Sequence, residues 1–126
     1  MVDPKTKKQR TVHLPDLGKE VPVPTSYPHN VNHGIALNPS ETELWAVGSA
    51  LGFVAVYSHP ELKHLKNIPI SDDGDSITFN GSGRFAYVSN RKGNDLSVID
   101  TTTYQEIKRI PLGDKPQRMV VINLPE

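Results

Sequence analysis

Short runs of alternating apolar and polar residues, separated by turn sequences, recur along most of the chain. Three of them follow one another at Arg84–Val88, Asp95–Ile99 and Ile107–Leu112. Alternation with a period of two places successive side chains on opposite faces of a β-strand, and helical periodicity extends over no useful length of this chain. The pattern therefore predicts an all-β protein built from short antiparallel strands.

The strand pattern occurs twice without a gap, so that Trp45 aligns with Tyr87 and Pro69 with Pro111. Equivalent residues of the two copies are always separated by the same number of residues, and we call this separation one repeat. A unit of about 40–45 residues with four strand-like pieces is typical of a β-propeller blade. We expect one blade at 33–71 and another at 75–113, with the prolines on the outer edge strand, where a missing backbone donor is harmless. The predicted strands are Gly34–Leu37, Glu43–Val47, Phe53–Tyr57 and Leu65–Ile70 in the first blade, and Ser76–Phe79, Arg84–Val88, Asp95–Ile99 and Ile107–Leu112 in the second.

Both ends of the chain carry weaker signals. Residues 1–11 are polar and predict a flexible tail, and residues 12–23 predict a degenerate half blade in the form of an edge hairpin. Residues 117–124 repeat the first strand of a blade, so that 12–126 as a whole is predicted to be a partial propeller. Because propellers close with about 4–8 blades, we expect an incomplete ring, as in a C-terminal piece of a longer protein or a truncated one. Its exposed blade faces predict self-association.

Three motifs in the second blade carry a family resemblance. Ala86–Asn90 reads Ala-Tyr-Val-Ser-Asn, Leu96–Thr101 reads Leu-Ser-Val-Ile-Asp-Thr, and Ile110–Gly113 reads Ile-Pro-Leu-Gly. Together they resemble the YVTN-family repeat, a WD40-like β-propeller repeat, with Ser89 in the place of threonine. The resemblance implies a propeller fold and a periplasmic or extracellular parent protein. It implies no particular activity, because the motifs consist of strands and turns.

The composition narrows the chemistry without indicating a ligand. Fourteen basic and fourteen acidic residues cancel, so no net field draws the chain toward nucleic acid or anionic lipid. The absence of cysteine excludes disulfides, thiolate catalysis and zinc–cysteine sites. No run is long enough to span a membrane. The basic residues near the start are not followed by the apolar segment of about 7–15 residues that a signal peptide needs.

In a propeller, the loops between the fourth strand and the next first strand share a face with the loops between the second and third strands. The polar residues on or beside these loops are the candidates for ligand binding. They are His29, His33, Asp72, Asp73, Asp75, Arg91, Lys92, Lys115 and Arg118.

Each candidate group has a structural explanation beside the functional one. His29 and His33 would suit a metal or an axial haem position, but solvated loop and a polar strand start explain them better. The acidic turn around Asp73 lacks the further ligands of a Ca²⁺ loop, so we favour a solvated turn in which Asp75 caps the strand start. The four cationic candidates would suit phosphate or an acidic partner. Acidic neighbours in the sequence favour a surface of mixed sign.

The sequence predicts a non-enzymatic propeller module that binds a protein or ligand through its loop face. No nucleophile lies near a base at a suggestive spacing, and there is no Gly-rich phosphate loop. No catalytic residue, metal or cofactor is therefore predicted. Two alternatives remain open. The chain would be the propeller part of a haem- or quinone-linked redox protein, with His33 as the residue of interest, or it would bind single-stranded nucleic acid through its loop-face cations.

Overall fold

Two antiparallel four-stranded sheets make up the fold, which a computed structural model describes for residues 5–16, 18 and 32–122. Within each sheet the strands lie in chain order, so each strand pairs with the next one along the chain. A short 3-10 turn at Ser49–Leu51 is the one helical element among the described residues. The strands are β1 (Ile35–Leu37), β2 (Glu43–Gly48), β3 (Phe53–Ser58) and β4 (His64–Pro69) in the first blade, and β5 (Gly74–Phe79), β6 (Phe85–Asn90), β7 (Asp95–Asp100) and β8 (Gln105–Pro111) in the second.

All eight predicted strands are present, with ends that differ from the prediction by a residue or two. The prediction for the prolines is also confirmed, because β4 and β8 are edge strands. Pro69 and Pro111 stand at their ends, opposite Phe53 and Asp95. The all-β fold with two blades is therefore readable from the sequence pattern.

The backbone repeats as faithfully as the sequence. Left-handed φ angles in the blades occur in pairs that lie one repeat apart, and each pair occupies the same turn of the two blades. Asn38 and Asn80 show why the turn between the first two strands is the same in both blades. Each side-chain Oδ1 accepts a hydrogen bond from a backbone N–H five residues ahead, at 3.0 Å in both cases. The φ pairs are Glu41 and Gly83, Gly52 and Asn94, Leu62 and Tyr104, and Asp73 and Lys115.

A single apolar core fills the space between the two blades. Trp45 is fully buried there, and its indole meets the ring of Phe79 edge-on, with the ring centroids 5.4 Å apart. Tyr104 approaches the same indole from the outer side of the second blade at 6.0 Å. Aromatic burial of this kind supplies a large share of the packing energy. The other core residues are Val47, Val54, Val56, Ile68 and Ile70 from the first blade, and Ile77, Ala86, Val88 and Ile99 from the second.

One carboxylate links the two blades beside this core. Glu43 on β2 accepts a hydrogen bond from Trp45 Nε1 at 2.9 Å, and its other oxygen accepts a hydrogen bond from the hydroxyl of Tyr104. The hydrogen bond to Glu43, followed by burial and the charge of the carboxylate, raises the pKa of Tyr104 to about 12. Glu43 therefore orients the central tryptophan and ties it to the second blade.

The two ends of the chain lie against the blades. Residues 12–16 and 18 contain no strand, and the other residues of the predicted hairpin lie outside the described part. Residues 117–122 contain no strand either. Backbone groups form a strand only beside a partner strand, and neither segment has one among the described residues. Each segment instead bonds to the nearest blade.

The contacts of these segments are specific. Tyr57 donates its hydroxyl to the carbonyl of His13 at 3.0 Å, and Leu14 packs against the outer face of the first blade. The guanidinium of Arg10 donates to the carbonyls of Pro60 and Glu61, so the packed part begins before the predicted boundary of the tail at residue 11. At the other end, the hydroxyl of Ser89 donates to the carbonyl of Gln117. Both segments therefore lie beside the blade faces that point away from the core.

Gly74→Ala should destabilise the fold, because an added Cβ would lie 2.5 Å from Cδ1 of Ile70 and 2.7 Å from Cγ1 of Val47. Overpacking of a filled core costs about 1–3 kcal/mol, and we expect a loss of this size in the free energy of unfolding measured with urea. Gly113→Ala is the matched control, since its Cβ would meet no atom within 4 Å. Equal stability of the two variants would contradict the close approach of the blades at Gly74.

The raised pKa of Tyr104 predicts a loss of stability at alkaline pH. In the unfolded chain the pKa of Tyr104 is near the ordinary value of 10.0, whereas in the folded protein it is about 12. The contribution is therefore complete below pH 10 and is lost as the pH rises from about 10 to 12. Urea unfolding across this window should show a steeper decline for the native chain than for Tyr104→Phe. Equal declines in stability for the two proteins would show that the hydrogen bond to Glu43 does not keep Tyr104 protonated.

Candidate functional site

Hydrogen bonds join the loops at one end of the blades. Leu112 N donates to the carbonyl of Asn94 at 2.8 Å, and Arg91 N donates to the carbonyl of Asp73 at 2.9 Å. The first bond joins the β6–β7 loop to the chain after β8, and the second joins the same loop to the β4–β5 loop. The side-chain oxygen of Asn94 also accepts a hydrogen bond from Lys115 N at 2.9 Å. These bonds fix the relative positions of the loops.

A polar pocket of about 350 Å³ lies between these loops. We call it the loop-face pocket. Three cationic side chains and two carboxylates share it, so its formal charge is positive by one. Cations in this excess attract an acidic group, while the carboxylates limit the attraction for a polyanion. It is lined by Asp73, Arg91, Lys92, Asn94, Asp114 and Lys115.

Arg91 is the most enclosed cation of this pocket. Its side chain is 24% exposed, and its Nη1 lies 4.0 Å from Oδ1 of Asp75. Its Nε is buried and has no hydrogen-bond partner among the described residues. A buried donor without a partner costs free energy.

A second group of polar residues lies at the inner edge of the two blades, which is the edge formed by β1 and β5. It comprises His33, Asp75 and Arg118, which line a cavity of about 270 Å³. The Nδ1 of His33 lies 2.9 Å from the carbonyl of Asp75 and 3.7 Å from its carboxylate. A carbonyl only accepts, so Nδ1 carries the proton in this contact and Nε2 is the nitrogen with a lone pair in the neutral ring.

A buried network supports the loop face from below. Asn90 is fully buried, and its Nδ2 donates to Oδ1 of Asp95 at 2.6 Å and to Oγ of Ser97 at 2.8 Å. Asn90 ends the motif that resembles YVTN, and its role here is to hold the start of β7 against the end of β6. The Oδ1 of Asn90 is buried and has no hydrogen-bond partner among the described residues, so the two bonds from Nδ2 are what hold the loop here.

The first blade solves the same problem with apolar residues. Gly48, Phe53 and Ala55 stand one repeat before Asn90, Asp95 and Ser97, respectively. The ring of Phe53 lies so close to Gly48 that an added Cβ would be 2.6 Å from Cε1. The phenyl ring therefore occupies the space that the asparagine side chain takes in the second blade. Because the first blade has apolar residues at these positions, the charged residues of the loop face come mainly from the second blade.

The structure divides the predicted candidates into two groups. Asp73, Arg91, Lys92 and Lys115 meet in the loop-face pocket, while His33, Asp75 and Arg118 meet at the inner edge. Asp72 is exposed and lines neither cavity, and His29 lies outside the described residues. Arg118 lines a different cavity from the other three predicted cations.

Two residues of the pocket were absent from the predicted set, namely Asn94 and Asp114. Asn94 adopts a φ of 53°, and asparagine is one of the residues that accept this left-handed conformation. The alignment of Asn94 with Gly52 was a usable signal for this turn. Asp114 belongs to the predicted loop but showed no pattern of its own.

Comparison with known proteins places the fold. Hydrazine synthase from Kuenenia stuttgartiensis is similar to this chain, with a TM-score of 0.68 and 22% identity. The similarity covers 75% of this chain and 28% of that one. The β-propeller domain of Myceliophteria thermophila Cps50 (Swd1) is also similar, at a TM-score of 0.60 and 12% identity over 68% of this chain and 27% of that one. The chain forms part of a β-propeller.

A third structure belongs to the same group. The dihydro-heme d1 dehydrogenase NirN, in complex with DHE, is similar to this propeller at a TM-score of 0.60 and 20% identity, over 67% of this chain and 18% of that one. This chain therefore spans less than a third of each of the three structures. At these identities the similarity shows the fold alone, and the neighbours include both named enzymes and a β-propeller domain. No family model and no curated protein match the chain.

Among residues 5–16, 18 and 32–122 there is no helix with the length and apolar character needed to cross a bilayer.

Proposed function

We propose that this partial propeller is a non-enzymatic recognition module that binds an acidic segment of a partner protein at the loop-face pocket. The observation that carries the proposal is Arg91, whose side chain is only 24% exposed and lines a pocket shared with Lys92 and Lys115. A carboxylate that entered would accept a charge-assisted hydrogen bond, which is stronger than a neutral one. The hydrogen bonds between the loops hold them in place before binding, so less conformational entropy is lost when a ligand binds.

The mixed charge of the pocket favours a protein segment over nucleic acid. Asp73 and Asp114 lie beside the cations, and their charges would repel consecutive phosphates. Arg118 lines the other cavity, so the four cationic candidates do not share one pocket in which consecutive phosphates could be bound. A peptide with one or two carboxylates among neutral residues is the better match.

Titration with the blocked peptide acetyl-Gly-Glu-Glu-Gly-amide tests this proposal. In ¹H–¹⁵N spectra we expect shifts that concentrate in the loops around Arg91 and Lys115. Arg91→Gln should raise the dissociation constant by roughly fivefold or more, because it removes the charge and the fork of donors. Lys66→Gln on β4 is the matched control and should leave the affinity unchanged, since Lys66 is exposed on an edge strand and lines neither cavity.

The same spectra distinguish the other outcomes. Shifts that are absent, or that persist unchanged in Arg91→Gln, would contradict the proposal. An oligothymidylate that bound more tightly than the peptide, with a steep dependence on salt, would favour single-stranded nucleic acid instead. A flat salt response would exclude that alternative.

A redox role is the second candidate, and His33 is the observation that favours it. Hydrogen bonding of Nδ1 to a backbone carbonyl is the usual arrangement behind a metal-ligating histidine, and here Nδ1 meets the carbonyl of Asp75 at 2.9 Å. The ring is 45% exposed, so Nε2 is accessible from the inner edge. The likeness to NirN in complex with DHE supplies a haem-containing relative of the fold, although it shows no haem site in this chain.

Haem titration followed by absorbance separates this candidate from the first. If His33 is an axial ligand, haem should produce a saturable Soret shift that disappears in His33→Ala. His64→Ala is the matched control, because His64 is exposed on β4 and contacts Asn67 rather than the inner-edge cavity. A spectrum that does not change, or an equal change in all three proteins, would remove the redox role.

A further inference from the structure

We infer that this chain binds a second copy of itself head to tail, with Tyr87 of one copy seated in a groove on the first blade of the other. Two blade faces point away from the core. The leading face belongs to the first blade, and its residues include Ile35, Leu44 and Tyr57. The trailing face belongs to the second blade, and its residues include Tyr87 and Val98, which alternate with the core residues of β6 and β7.

The inference begins with the repeat. Trp45, Val54, Val56 and Ile68 form the face of the first blade that packs in the core. The residues one repeat later are Tyr87, Leu96, Val98 and Ile110, and all of them stand on the trailing face. The trailing face is therefore the second occurrence of a surface that already packs against a blade.

The leading face repeats the other half of the same interface. Ile77, Ala86, Val88 and Ile99 form the side of the second blade that receives Trp45. The residues one repeat earlier are Ile35, Leu44, Ala46 and Tyr57. Packing of a trailing face on a leading face would thus reproduce, between two copies, the contact seen between the blades of one copy.

A groove marks the place of the missing aromatic side chain. It has a volume of about 340 Å³, which lies in the range of pockets that hold small ligands. The N-terminal segment borders it through Val12 and Leu14 but leaves it open. The groove is lined on the blade side by Ile35, Leu44, Ala46, Tyr57 and Leu62.

This groove corresponds to the seat of Trp45. Leu62 stands one repeat before Tyr104, which contacts the indole, and the other lining residues of the blade correspond to core residues on that side. The residue that corresponds to Trp45 itself is Tyr87. A tyrosine from a second copy would therefore enter the groove at the same place on the blade as the tryptophan does in the core.

Paired differences between the two interfaces favour a copy of this chain as the occupant. In the core, Glu43 accepts a hydrogen bond from Tyr104. Between two copies the corresponding residues are Phe85 and Leu62, so both partners of the polar contact become apolar. A change on one side alone would leave a buried charge or hydroxyl without a partner.

The position of Val47 differs between the two interfaces. In the core, Gly74 makes room for Val47, because an added Cβ would lie 2.7 Å from its Cγ1. On the trailing face the residue that corresponds to Val47 is Ser89, which is fully buried and donates to the carbonyl of Gln117 in its own chain. This position is therefore covered within one copy, and the contact between copies is expected at Tyr87 and its neighbours.

The contact is heterologous, because the trailing face of one copy meets the leading face of the next. Such a contact forms a ring if the rotation closes and a filament if it does not. Here the rotation is that between adjacent propeller blades, and propellers close with about 4–8 blades. We therefore expect closed rings of roughly two to four copies.

Two variants that each inactivate one face test the inference. Tyr87→Ala removes the side chain that enters the groove, and Ile35→Arg places a charge beside the groove at a residue that is 65% exposed. Sedimentation velocity and light scattering should show concentration-dependent oligomers for the native chain and monomers for either variant. Tyr87→Phe, the matched control, should assemble like the native chain.

Mixing the two variants gives the decisive measurement. Each retains the face that the other has lost, so an equimolar mixture should form heterodimers that grow no further. Monomers of the native chain at every concentration, or a mixture that stays monomeric although both variants keep the native circular dichroism, would overturn the inference. Assembly that persists in both variants, or aggregation without a defined size, would overturn it as well.

Discussion

Trp45 and the residues around it determine how the two blades are held together. A four-stranded sheet has two faces, and at least one must be covered by another apolar surface before the sheet is stable in water. In this chain the covering surface is the neighbouring blade, and the fully buried indole of Trp45 lies between the two blades against the ring of Phe79. Glu43 then fixes the orientation of the indole by bonding to its N–H and to Tyr104 on the other blade.

The same interface positions the loops that form the candidate site. Because the blades are packed at the core, the β4–β5 and β6–β7 loops emerge side by side and hydrogen bond to one another. The left-handed residues in these loops recur one repeat apart, so they belong to the blade architecture and are no sign of strain at a site. What is particular to the loop face is its chemistry, which the second blade provides through Arg91 and the network beneath it.

The differences between the blades are as informative as their likeness. The Asn90 network in the second blade and the Gly48–Phe53 contact in the first occupy equivalent positions. In the second blade the amide nitrogen of Asn90 is paired with Asp95 and Ser97, and in the first blade the ring of Phe53 lies against the glycine position. Residues that touch therefore differ together between the two blades.

The sequence by itself determined the local structure of this protein. Alternation defined the eight strands, Asn38 and Asn80 defined the tight turns, and the constant spacing of the repeat defined the blades, because each of these depends on neighbours close in the chain. Only the tertiary structure decided the rest. It placed Arg118 and Arg91 at different cavities, left the end segments without strands, and opened the groove beside Leu44. These features depend on which distant residues meet across the blades, and no local pattern records that.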